Sequence, residues 1–179
     1  MTRAFVIALL GAESTGKTTL AQALGHALAE AGRSVAVVPE YLREFCDRHA
    51  RTPRADEQAL IAAEQTRRIE DATRGHAIVI ADTTALMIAV YSDQVFGDAS
   101  IYAEAEAAQR RCDLTLLTAL DLPWRADGVQ RDGPQVREPV DTRVRAALAR
   151  TGGAYSVVCG SGSARLDAAL ACVARAPRQ

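Results

Sequence analysis

The chain has 179 residues, 49% hydrophobic and 24% charged, and its 21 basic against 22 acidic residues leave a net charge of −1. That length is one ordinary domain, expected to run over residues 1–179, and the composition excludes disorder, a collagen-like repeat and a disulfide scaffold. The near-balanced charge provides no field to hold nucleic acid or an anionic membrane, so neither is expected as a partner.

Five short apolar runs alternate with longer helical patterns, which predicts parallel strands joined by helices and covered on both faces. The strands are expected at Ala4–Leu10, Ser34–Val38, Ala77–Ala81, Leu114–Leu120 and Tyr155–Cys159. Arg3 ahead of the first run has the look of a signal peptide, but the run is short and leads into GAESTGKT rather than a cleavage site. No stretch reaches the roughly 18 apolar residues of a membrane span. After the first strand, Leu20, Leu24, Ala27, Leu28 and Ala31 recur at helical spacing, with Gly32 as the expected cap.

A second helix is predicted over Asp56–Thr73, where Gln65 interrupts the apolar face of Ile61 and Ile69. The favoured reading of Gln65 is an amide satisfied by backbone, with ligand contact as the alternative. Two shorter helices, Ala85–Phe96 and Ile101–Cys112, are separated at Gly97; Val140, Val144 and Leu148 mark another, and Leu166, Leu170 and Val173 the last. Between them Pro123–Pro139 holds two glycines and three prolines, and a loop of that length in a compact domain is expected to be a lid. Cys46, Cys112, Cys159 and Cys172 form no C-x-x-C pair, which points to reduced thiols in a cytoplasmic protein.

Of the 21 basic residues 20 are arginine, so the single lysine, Lys17, marks a position where a compact ammonium does what a planar guanidinium does not. It lies in G-x-x-x-x-G-K-[ST] at Gly11, Gly16, Lys17 and Thr18, between a predicted strand and a predicted helix. The chance of that pattern in this composition is about five in ten thousand. Such a loop turns successive N–H groups onto a phosphate and adds the positive end of a helix. Gly11, Glu13, Ser14, Thr15, Gly16, Lys17, Thr18 and Thr19 are therefore the expected nucleotide-binding residues, with Lys17 on the β- and γ-phosphates and the Thr18 hydroxyl on Mg²⁺. The cofactors expected are ATP and magnesium.

Asp82 ends the third strand, at the sheet edge onto which the phosphate loop opens. It is expected to hold Mg²⁺ or to accept a proton, the alternative being a helix cap. Glu40 follows the second strand in PEYLREF, and it and Arg43 are open between surface turn and substrate contact. In the lid, Arg125, Arg131 and Arg137 are candidates to neutralise a transferring phosphoryl group, Arg131 foremost, and Trp124 is read first as a core or hinge residue. Gly160, Ser161, Gly162 and Ser163 form the turn expected beside the adenine.

GAESTGKTTLA, PEYLREF, ADTT, YSDQVFG and DLPWRADG, with Arg131 and Arg137 beyond, resemble in order the ribosylnicotinamide kinase domain of the NadR family. The resemblance implies a three-layer α/β P-loop fold with a five-stranded parallel sheet. The implied reaction moves the γ-phosphate of ATP onto the ribose 5′-hydroxyl of nicotinamide riboside. It assigns Lys17, Asp82, Arg131 and Glu40 to catalysis, and Glu40, Tyr41, Arg43, Asp82 and Trp124 to the substrate side. Members also carry adenylyltransferase and helix-turn-helix domains ahead of the kinase; this chain starts at the kinase strand, so both are expected to be absent. An aromatic residue before the Glu-Tyr pair is replaced by Pro39, leaving Tyr41, Tyr91 or Trp124 to stack the ring. The runner-up readings are a kinase for another nucleoside or hydroxylated metabolite, and an ATPase switch without a small acceptor.

Overall fold

The apolar runs become β1 (Phe5–Leu10), β2 (Val35–Val38), β3 (Ile78–Asp82), β4 (Leu114–Thr118) and β5 (Tyr155–Val158) in the computed structural model, which describes residues 3–125 and 133–177. They form one sheet in the order β2-β3-β1-β4-β5, every neighbouring pair parallel. Parallel neighbours require crossovers, and the helices supply them: α1 (Lys17–Glu30), α2 (Tyr41–His49), α3 (Gln58–Thr73), α4 (Ala85–Phe96), α5 (Tyr102–Gln109), α6 (Arg137–Thr151) and α7 (Gly162–Arg175).

Side-chain alternation in β1 divides the core. Ile7 and Leu9 meet Leu20 and Leu24 of α1 and Ala169 and Val173 of α7. On the other face Leu10 joins α4 and Val140 and Val144 of α6, while Val6 packs with Val38 and Val79. Every residue of α4 from Ala85 to Val90 is buried, so this helix is apolar all round and shows little amphipathic period.

The register places the chemistry. Leu9 of β1 pairs with Asp82 of β3, and Leu10 with Leu117 of β4. The loop after β1 therefore emerges between the ends of β3 and β4, where ligands bind in open α/β sheets.

Four expectations are corrected. A helix, α2, occupies PEYLREF and beyond, where none was assigned; its apolar Leu42, Phe45 and Cys46 are few, and Ala50 at φ 52° ends it. The expected helix over Ile101–Cys112 is shorter, at Tyr102–Gln109. The expected lid is shorter too. A 3-10 turn at Pro134–Val136 leads into α6 at Arg137, so Pro139 sits in a first helical turn, where a missing N–H costs little. Finally, Ser161 precedes α7 directly, so the turn after β5 is brief. Arg131, Asp127 and Gly128 lie outside the described residues.

Candidate functional site

The loop between β1 and α1 needs backbone angles that few residues adopt. Gly11 has φ 148° and Gly16 φ 76°, and a Cβ on Gly11 would collide with Thr118 Oγ1. Gly11 is thus required by close contact with β4 as well as by its angle. Thr15 is fully buried and braces the same corner: its Oγ1 donates to Ala12 O at 2.7 Å and stands 2.7 Å from Thr118 Oγ1. Its side chain builds the loop rather than reaching a ligand.

The loop encloses a cavity of about 240 Å³ lined by Ser14, Thr15, Gly16, Lys17, Thr18, Thr19 and Arg43. Among the described residues no acidic side chain occupies the first turn of α1 and none caps Gly16, so the positive end of the helix is left to face the cavity. Lys17 Nζ donates to Ala12 O at 2.9 Å. Ser14 Oγ donates to Arg125 O at 2.7 Å and accepts from Arg125 N at 3.1 Å, tying the segment after β4 to the loop.

A second cavity, about 140 Å³, opens beside the first between α2 and α4. Met87, Tyr91 and Val95, each one turn beyond the last, form its α4 wall, and Leu42 and Cys46 its α2 wall. Glu13, Lys17, Glu40, Arg43 and Thr83 line the end near the phosphate loop, while Thr52, Pro53 and Gln58 line it from the connection into α3. Lys17 and Arg43 line both cavities. Arg43 Nε donates to Glu40 Oε2 at 3.1 Å.

Asp82 is 2% exposed at the end of β3, and no described residue donates to its Oδ1. It is not the helix cap: Thr84 is, its Oγ1 accepting from Leu86 N at 3.3 Å. Asp82 lines neither cavity, but its neighbour Thr83 lines the second, at φ 78°, a strained angle for a β-branched residue. Gln65 holds this arrangement. Its Oε1 accepts from Tyr41 N at 2.7 Å, and its Nε2 donates to Pro39 O at 3.3 Å and Thr83 O at 3.2 Å. The amide is satisfied by backbone as expected, and it clamps Glu40 and Thr83 in place.

Other expected residues lie elsewhere. Tyr41 lines neither cavity; its ring lies under the Arg68 guanidinium at 4.3 Å. That guanidinium pairs with Glu64 and Glu44, and hydrogen bonds donated by Arg67 and Arg68 hold the Glu64 carboxyl down to about 2. Trp124 and Arg125 line neither cavity. Nor does Arg137, which is 8% exposed on the buried face of α6, its Nε and Nη2 without an acceptor among the described residues.

One structural residue had no sequence signal. Arg165, 4% exposed, donates Nε to Gly160 O at 2.6 Å and bonds to Thr15 O and Asp121 Oδ1, joining the phosphate loop to the ends of β4 and β5. The apolar stripe of α7 drew the eye to Leu166 and Leu170, whereas the most buried residues are Arg165, Ala169 and Val173.

A family profile for an AAA domain matches residues 6–165. The chain belongs to that AAA domain family. No curated protein matches the sequence of this AAA domain. Its fold is shared with solved structures titled as NadR protein in complex with NR, TM-score 0.75, and NadR protein in complex with NAD and AMP-PNP, TM-score 0.69. Each is 19% identical and covers 98% of this chain, and this AAA domain spans about half of theirs, 52% and 51%. The P-loop α/β fold expected from the motifs is the one found. No helix among the described residues is long and apolar enough to cross a membrane.

Proposed function

We propose that this protein is a small-molecule kinase that transfers the γ-phosphoryl group of ATP to the ribose 5′-hydroxyl of nicotinamide riboside. The observation that carries the reading is that the phosphate cradle and the α2–α4 cleft meet at Lys17 and Arg43. A phosphoryl group seated in the cradle and a hydroxyl entering from the cleft would share those two cations. The fold shared with NadR structures holding NR and AMP-PNP supports the pairing of riboside and nucleotide.

The cleft has the polarity such an acceptor needs. Its inner end carries Glu13, Lys17, Glu40 and Arg43, suited to ribose hydroxyls and phosphate, and its outer end carries Tyr91, Val95 and Phe96, suited to a flat ring. Tyr91 takes the stacking role in this reading, since Tyr41 is committed to Arg68.

In the reaction O5′ bonds to the γ-phosphorus as the bond to the bridging β–γ oxygen breaks. ADP leaves, and the hydroxyl proton passes to a carboxylate, for which Asp82 and Glu40 are the candidates. Lys17, Arg43 and the loop N–H groups stabilise the charge on the moving phosphoryl group. The Thr18 hydroxyl of the cradle and the buried Asp82 Oδ1, which no described residue donates to, are the oxygens that would hold Mg²⁺. That ion supplies charge neutralisation on the phosphates when bound. The arginines at 125, 131 and 137 are the further cations proposed for the closed state.

The test is ATP consumption with a panel of nucleosides and an acceptor-free control. Nicotinamide riboside is expected to accelerate ADP formation strongly and to yield the mononucleotide by mass. Turnover equal with and without every nucleoside would leave an ATPase switch instead.

A further inference from the structure

We propose that a cavity across the β3–α4 turn from the α2–α4 cleft is a second ligand site, for a small organic anion with an apolar body, and that its occupant acts on the reaction through that turn. The cavity measures about 610 Å³, more than either cavity of the functional site and within the roughly 300–1,000 Å³ usual for small-molecule sites. Three segments that lead toward strands contribute to it: Arg3 and Ala4 ahead of β1, Thr73 and Arg74 ahead of β3, and Arg110 to Cys112 ahead of β4. It therefore reaches the N-terminal ends of the strands, whereas the phosphate loop follows the C-terminal end of β1.

The lining is of two kinds. Ala4, Val6, Ile69, Ala85 and Ala108 are apolar, and four arginines, Arg3, Arg74, Arg110 and Arg111, stand against one acid, Glu70. Arg3 meets Asp113 at 2.7 Å, Arg74 meets Asp71 at 2.8 Å and Arg111 meets Glu70 at 2.9 Å. A guanidinium carries five N–H donors, so one carboxylate leaves it able to hold a second anion. Arg110 is held more loosely, 3.8 Å from Glu106 and 3.4 and 3.5 Å from the carbonyl oxygens of Thr151 and Arg150. Burial pushes the Cys112 thiol up to about 12, so it stays neutral and sets no charge against an anion. Guanidinium in excess beside an apolar lining suits a phosphate or sulfonate carried on a ring, and the ring without its charge gains only the apolar contacts.

The coupling follows from a turn that serves two cavities. Thr83 lines the α2–α4 cleft, and the next two residues, Thr84 and Ala85, line this one. Thr83 sits at φ 78°, an angle that persists only while its surroundings hold it. Gln65 donates to Thr83 O at 3.2 Å, and Thr66, the residue after Gln65, lines the cavity. Thr84 Oγ1 donates to Gln109 Oε1 at 2.7 Å and Gln109 Nε2 to Thr115 Oγ1 at 2.9 Å, which ties the turn to β4. A ligand packed against Thr84 and Ala85 adds contacts behind the turn that follows Asp82 and holds it more firmly, which raises turnover without touching nucleotide or acceptor.

The probe is 1-naphthyl phosphate, with 1-naphthol as its neutral counterpart, each titrated by calorimetry into the purified protein in saturating ADP and Mg²⁺. The phosphate is expected to bind once per chain and at least about tenfold more tightly than the naphthol. Arg74→Glu combined with Arg110→Glu, and separately Ala108→Phe, which fills the cavity from a half-buried position, should each weaken it at least about tenfold with circular dichroism unchanged. In ATP turnover with the acceptor that the nucleoside panel selects, the probe is expected to raise kcat at least about twofold in the wild type and not in the variants. Basal turnover of the variants should stay close to the wild type. Absence of binding, equal binding of naphthol, or affinity that survives either variant overturns the site. A raised KM for the acceptor would seat the probe in the α2–α4 cleft and overturns it equally. Binding with kcat unmoved overturns the coupling. The calorimetry contains no acceptor, so its result is separate from the fate of the riboside reading.

Discussion

The phosphate cradle and the adjoining α2–α4 cleft, the proposed acceptor site, are built on opposite principles. The cradle is contiguous: Ser14 to Thr19 supply all its lining but Arg43, and what it offers a phosphate is mostly main chain at the head of α1. The cleft is assembled from the phosphate loop, the ends of β2 and β3, two helix faces and the start of α3, and what it offers is side chains. A site made of backbone constrains its residues through φ and close packing. A site made of side chains constrains them through chemistry at scattered positions. Damage to the first should therefore act on every acceptor alike, and damage to the second should discriminate between acceptors.

The largest effect should come from the cradle. Lys17→Ala removes the ammonium shared by both cavities and is expected to lower turnover by about 10³-fold with every acceptor, with far-UV circular dichroism unchanged. Loss with only one acceptor would break the distinction.

Gly11→Ala tests the packing basis of the same region. The added methyl meets Thr118 Oγ1, and the expected cost is about 1–3 kcal/mol in urea unfolding. Thr118→Ala in the same chain should recover part of it by opening space, leaving the penalty of the φ 148° backbone. Full recovery would mean that the angle is unimportant.

Glu40→Ala sharpens the comparison from the other side. It removes the partner of Arg43 at the inner end of the cleft, and is expected to raise the KM for the acceptor about tenfold while moving the KM for ATP less than twofold. Equal changes in both would place Glu40 in nucleotide binding.

The smallest effect concerns acid. Glu64 is held at about 2 against an ordinary value of 4.5 by hydrogen bonds from Arg67 and Arg68, and Arg68 also covers Tyr41 at the start of α2. Because the carboxyl is depressed in the folded state, its contribution is complete above about pH 4.5 and is lost as pH falls toward 2. The pairs lie at the surface and are partly exposed, so the loss is modest. Amide protection factors, corrected for intrinsic exchange, should fall in α2 before α1 across that window. Simultaneous loss would show that the cleft wall is no softer than the cradle.

The same contrast explains what could be read from the residues. Each strand was placed within two residues at either end, because strands buried on both faces are continuous apolar runs bounded by polar turns. The loop at Gly11 to Thr18 was legible because its chemistry sits in eight consecutive positions. Beyond Glu13 and Lys17 of the loop, the cleft was legible at Glu40 and Arg43 and, through the family resemblance, at Tyr91. Met87 and Val95 line the cleft with Tyr91, but they lie on a helix so apolar that it reads as core from end to end. Gln58 looks like any polar residue at the start of a helix until the fold places it in the lining of the cleft. Tyr41 lines neither cavity, because its proximity in sequence to Glu40 does not fix which side of α2 it faces.

Arg165 carries a consequence for the order of events during synthesis. The guanidinium arrives 150 positions after the loop that it bonds through Thr15 O. At translation rates of 5–20 residues per second that interval is roughly 8–30 s, against microseconds for a helix to form. The phosphate loop thus leaves the ribosome well before the residue that completes its bracing. Until α7 docks, the loop lacks the strut that links it to Asp121 and Gly160. A nascent chain halted before α7 should therefore bind ATP more weakly than its otherwise complete sheet would suggest.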